Sequence, residues 1–220
     1  MAKNIGVLLS GCGVFDGTEI HEAVLTLLFL DRAGAQIVCM APDKPQHHVI
    51  DHLGQQETGQ QRNVLVESAR IARGEIRSLK SVAASDLDAV ILPGGFGAAK
   101  NLSDFAFKGP EAEVDPEVAR LIQDMAAARK PIGAICIAPA VLAKALAERH
   151  PVVTIGNDVG TARSIEVMGG VHQERPVDGI CVDEANRLVT TPAYMVGPGI
   201  KDVALGIEKL VAKVMEMVNA

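Results

Sequence analysis

The chain has 220 residues, a size that one large α/β domain fills, and 48% of them are hydrophobic, enough for a substantial core. A formal net charge of −6, with 3% aromatic residues and no Trp, offers no attraction for nucleic acid or an anionic membrane and no stacking platform for bases. Four scattered cysteines (Cys12, Cys39, Cys136 and Cys181) without a C-x-x-C pair suit reduced thiols better than a disulfide framework or a zinc site.

The first element is a strand over residues 4–10, entered directly from Met1-Ala2-Lys3 without the longer apolar region of a secretory signal. No later apolar run is long enough to span a bilayer, so the expected location is the cytoplasm. The loop that follows reads Ser10-Gly11-Cys12-Gly13-Val14-Phe15-Asp16-Gly17-Thr18-Glu19 and leads into a helix over 19–33. Asp16 with Glu19 three residues later resembles a capping box. Glu22 then lies one turn further along the same face, directed at a crevice or at water, and an exposed helix-surface Glu is its ordinary reading. His21, about 100° round the helix, faces elsewhere. Cys12 fits either a pocket mouth or a small residue in a tight loop.

A strand over 35–40 comes next, then a polar segment over 42–61 holding His47, His48 and His52, which reads as a solvated loop without firm metal-ligand spacing. A helix over 62–73, a weaker strand over 75–79 and a strong strand over 87–92 follow. The last opens onto Pro93-Gly94-Gly95-Phe96-Gly97, the start of an irregular stretch over 93–116. Glycines there let backbone approach a ligand and turn N–H groups inward, although a Gly-Gly pair also fits an ordinary turn. The closing Gly-Lys-Ser/Thr of a phosphate loop is missing.

After a helix over 116–129, a strand over 131–135 ends at Cys136, and a helical pattern over 138–148 begins two residues later. That is how a sharp strand-to-helix turn carrying a nucleophile reads. Ala134 and Ala138 keep the crowded positions either side small, and Pro139 suits the first helical turn. A sulfur at a helix N-terminus meets unpaired N–H groups, which favours the thiolate. A buried structural cysteine fits the same residues. A neutral Glu22 beside the sulfur would donate a hydrogen bond and shuttle protons. Gly95 and Ile137 would offer their N–H groups to a developing oxyanion.

The remaining elements are a strand over 152–155, a helix over 161–168, weaker strands over 179–182 and 188–191, and an amphipathic helix over 200–218. Alternating strands and helices imply one domain over 1–220, a doubly wound, mainly parallel sheet sandwiched by helices, with ligands at the carboxyl ends of the strands.

Glu22 twelve residues before Gly34, Leu92-Pro93-Gly94-Gly95, and Ala134-Ile135-Cys136-Ile137-Ala138-Pro139 together resemble the PfpI/ThiJ superfamily. The runs over 6–25, 93–103 and 190–195 are similar to its bacterial enhancing-lycopene-biosynthesis branch, and the likeness covers essentially the whole chain. The resemblance implies a flavodoxin-like, class I glutamine amidotransferase-like fold, a homodimer, Cys136 as nucleophile and Glu22 as its acidic partner. It implies a glutathione-independent glyoxalase of the lyase type that uses no cofactor or metal and turns a small aldehyde, glyoxal, into glycolate. A link to isoprenoid supply comes with the branch's name. An oxidisable redox-sensing or regulatory protein with little turnover is the alternative.

One departure stands out. Many relatives carry a histidine twenty residues after the nucleophile, where this chain has Gly156. Asn157 or Asp158 is the expected pocket residue in its place, and without that histidine a slow enzyme is expected rather than a protease or amidotransferase.

Overall fold

A computed structural model describes residues 2–220. Seven strands form the main sheet: β1 (Asn4–Leu8), β2 (Gln36–Ala41), β3 (Arg77–Ser78), β4 (Ala89–Leu92), β5 (Ile132–Ile135), β6 (Cys181–Asp183) and β7 (Leu188–Thr191). Their order is β6-β7-β5-β4-β1-β2-β3, parallel except for β6, which runs antiparallel to β7. The order reverses between β1 and β4, and such a reversal opens a crevice at the carboxyl ends of the strands.

Successive strand residues point to opposite faces, and both faces are covered, so the strands read as continuous apolar runs. On one face Leu8, Val90, Leu92 and Ile132 pack with α5 (Pro116–Ala127) and α6 (Ala138–Ala145). On the other Ile5, Val7, Ile91 and Val189 pack with α1 (Ile20–Arg32) and α8 (Ile200–Asn219). Gly133 lets α8 close on the sheet, because an added Cβ there would lie 3.1 Å from both Ile91 and Leu210.

The doubly wound architecture agrees with the sequence reading, and four local expectations need correction. The polar segment over 42–61 is not loop throughout, since Ile50–Asp51 pairs antiparallel with Gln56–Glu57. Residues 152–155 do not join the main sheet: Val152–Val153 pairs in parallel with Val171–His172 in a separate two-stranded ribbon. The stretch over 93–116 is not irregular throughout, since it holds the short helices α3 (Phe96–Lys100) and α4 (Phe105–Lys108). Asp16 does not cap α1. The N-cap is Glu19, whose Oε2 accepts the Glu22 N–H at 2.7 Å, while Asp16 accepts the Ile50 N–H at 2.7 Å. The remaining helices are α2 (Val64–Ile71) and α7 (Val159–Val167).

Leu210 is fully buried between α8 and the sheet. Leu210→Ala is expected to destabilise the fold by about 3 kcal/mol through lost transfer energy and a residual cavity. Urea denaturation measures this, and a loss below about 1 kcal/mol would contradict the packing described.

Candidate active site

Strand register brings four segments to one rim. Thr191 pairs with Ile135, Leu92 with Ala134, and Val7 with Ile91, so β7, β5, β4 and β1 end side by side. Cys136 follows β5 directly, Gly94 and Gly95 follow β4, α1 with Glu22 follows the loop after β1, and Tyr194 follows β7.

Cys136 has φ of +63°, the strained left-handed conformation expected at such a turn, and its N–H donates to the Thr191 carbonyl at 2.9 Å. Pro139 sits in the first turn of α6, and the N–H groups of Gly95 and Ile137 point at the sulfur. Gly94 leaves the space that brings sulfur and acid together. A Cβ added there would stand 2.5 Å from the Cys136 Cβ and 2.8 Å from Glu22 Oε2. Gly95 has φ of +90° and lies against the backbone of Gly17, Thr18 and Glu19, which leaves no room for a side chain.

Glu22 is 0% exposed, so its ordinary reading as a surface residue does not apply. Its Oε2 accepts the Gly94 N–H at 2.9 Å and its Oε1 accepts the Tyr194 N–H at 3.3 Å. Burial, and then the neighbouring Glu19 charge, push the carboxyl up to about 8, against the pull of those N–H groups and of a hydrogen bond with Cys136. At neutral pH the acid is therefore mainly protonated.

The sulfur does not follow the simple expectation of a helix N-terminus. Cys136 is only 8% exposed, and burial, followed by the Glu22 charge, drives its thiol well above the ordinary range despite the N–H groups of Gly95 and Ile137. Removal from water outweighs the backbone dipoles here. In the resting pair both groups are neutral, and the two N–H groups expected for an oxyanion face the sulfur itself.

The other candidates have different partners. Cys12 is half-buried, and its charged surroundings are Glu67 and Arg70 of α2, Asp16 of its own loop and Arg62 just before α2. Asp158 is exposed and caps α7, accepting the Thr161 N–H at 2.7 Å. Asn157 is exposed and lines a surface hollow with Glu174, Arg175, Val177 and Val196. Gly156 has φ of +93°, and a Cβ there would come within 2.5 Å of Val196 Cγ1, so this backbone has no place for a histidine. His47 and His48 pack on Phe107, and His52 packs on Phe15 and accepts its N–H at 3.3 Å.

Two participants escaped the sequence reading: Tyr194, which holds Glu22 through its backbone, and His21, which meets the Tyr194 hydroxyl at 2.8 Å. The run over 190–195, distinctive in sequence, carried the signal for Tyr194. Nothing in the spacing of His21 pointed to a partner 173 residues away.

A model of the DJ-1/PfpI family matches residues 12–193. The human glutamine amidotransferase-like class 1 domain-containing protein 3, mitochondrial, is 47% identical over 98% of this chain and 84% of its own. The rat ES1 protein homolog, mitochondrial, is 45% identical over 97% and 83%. A crystal structure of an isoprenoid biosynthesis protein with an amidotransferase-like domain from Ehrlichia chaffeensis superposes with a TM-score of 0.90 and 40% identity, covering 97% of this chain and 99% of that one. The mitochondrial names of the human and rat relatives overturn the expected cytoplasmic location. Unpaired thiols separate reducing from oxidising surroundings and do not choose between two reducing compartments.

The buried acid leaves a signature in stability. Its folded value near 8 lies above its ordinary 4.5, so between those values the folded state keeps a proton that the unfolded state has lost. The stabilising contribution is complete below the lower value and is lost as pH rises towards the higher one, at up to about 1.4 kcal/mol per pH unit. Glu22→Gln is expected to remove this slope. Urea denaturation at about pH 5 and about pH 8 tests it, and parallel pH dependence in both proteins would contradict a buried neutral carboxyl.

Proposed function

The chain belongs to the DJ-1/PfpI family, and from that premise we propose that it is a slow, cofactor-independent glyoxalase converting glyoxal to glycolate through Cys136 and Glu22. The observation that carries the reading is a fully buried carboxyl, pushed towards the protonated form at neutral pH, next to a cysteine at a strained strand-to-helix turn. The tight surroundings of Cys136 suit a two-carbon aldehyde better than a peptide.

Each step keeps charge from accumulating in the desolvated site. Sulfur adds to one aldehyde carbon while Glu22 gives its proton to the carbonyl oxygen and receives the thiol proton, which yields a hemithioacetal. The carboxyl then takes the hydrogen from that carbon and protonates the second carbonyl oxygen, giving an enediol. Proton return to the second carbon, with loss of the first hydroxyl proton, leaves a thioester of glycolic acid. Water attacks the thioester carbon, the carbon–sulfur bond breaks, and sulfur recovers a proton. The electrons lost by one carbon are gained by the other, so no external oxidant or reductant enters. The N–H groups of Gly95 and Ile137, which face the sulfur, would follow negative charge onto the adding oxygen.

The rival reading as a redox sensor needs an accessible, low-pKa thiolate, and burial of Cys136 with its raised thiol gives it no support. A homodimer is part of the proposal. Ile20, Val24 and Leu28 form an exposed apolar stripe along α1, one turn apart, that a second copy would cover. Sedimentation at the monomer mass would remove the dimer.

Cys136→Ala is expected to abolish glycolate formation, and Glu22→Gln to lower kcat by about 10²–10⁴-fold. Because the relay needs the neutral acid, kcat should fall as pH rises past about 8. Steady-state assays with glyoxal test all three, and unchanged rates in both variants would end this reading.

A further inference from the structure

Helix α1 presents two neighbouring side chains to the rim in different directions. Glu22 turns inward, and the exposed His21 turns outward, where its Nδ1 lies 2.8 Å from the Tyr194 hydroxyl, with ring centroids 5.8 Å apart. The other end of Tyr194, its backbone N–H, reaches Glu22 Oε1 at 3.3 Å. Between β7 and Tyr194 the chain passes through Ala193, a fully buried residue at φ +43°. A non-glycine residue held in that conformation depends on surrounding contacts to stay there. Two contacts from α1 therefore brace this turn, an outer one between side chains and an inner one to the carboxyl.

We propose that His21 and Tyr194 are a positioning pair, whose side-chain hydrogen bond fixes the turn after β7 so that the Tyr194 N–H stays on Glu22 and aims its carboxyl at Cys136. Neither side chain acts on the reacting atoms. The titratable groups facing Glu22 are Glu19 at the N-cap of α1, Cys136 from the β5–α6 turn and Tyr194 itself, with the Gly94 N–H completing its surroundings. A substitution at exposed His21 leaves Glu19, Cys136 and Gly94 in place, which isolates the brace. Loosening an N–H donor from a carboxyl raises its proton affinity.

The inference rests on the proposed roles of Glu22 and Cys136, so its test avoids turnover. The rate of Cys136 alkylation by iodoacetamide, followed by mass spectrometry across pH, reports the titration of the coupled pair. His21→Leu and Tyr194→Phe are each expected to move the midpoint upward by about half a pH unit, and the double variant no further. His21→Asn, whose amide takes the place of Nδ1 and still meets the Tyr194 hydroxyl, should keep the parent midpoint. If Glu22→Gln moves the profile while His21→Leu and Tyr194→Phe superpose on the parent, the positioning role is overturned and the roles of Glu22 and Cys136 stand. If Glu22→Gln leaves the profile unmoved, Glu22 does not govern the sulfur and the inference falls with it.

Discussion

The contact between the buried Glu22 carboxyl and the Cys136 sulfur is the constraint on which the rim of this sheet is organised. An ionised carboxylate with no exposure is costly, and an ionised sulfur beside it would be costlier still. The fold resolves this by keeping both groups neutral and giving each oxygen of the acid one backbone N–H, from Gly94 and Tyr194. The two donors come from segments after different strands, so the pair exists only when β1, β4, β5 and β7 end in register.

This arrangement differs in kind from a thiolate prepared by a cationic histidine. The place of such a histidine is filled by Gly156 in a left-handed turn with Val196 packed against it. What remains is an acid able to give a proton from one oxygen while taking one at the other. Chemistry that moves protons within a small neutral substrate suits such a group, whereas cleaving an amide calls for a stronger base near the leaving nitrogen. The same desolvation that keeps the sulfur protonated works against its ready oxidation.

Much of this was legible in the chain. The strand ending at Cys136, with small residues on both sides and a proline after it, marks the strained turn, and the apolar runs over 4–10, 87–92 and 131–135 mark the centre of the sheet. Residues 188–191 form β7 with the boundaries read from sequence. The short helices over 96–100 and 105–108 were hidden because four or five residues carry too little periodicity to register. Val152–Val153 pairs outside the main sheet, which its sequence does not reveal, since an apolar run states that a segment is buried and not against what.

The sequence by itself determined the doubly wound class, the turn at Cys136 and the glycines that let backbone approach it, because these are written in local patterns a few residues long. Only the tertiary structure decided the protonation of the pair, the role of Tyr194 and the fate of Glu22. Each depends on how much water the assembled strands exclude and on partners far apart in the chain, such as the 172 residues between Glu22 and Tyr194. Desolvation belongs to the closed rim as a whole, and no single segment carries it.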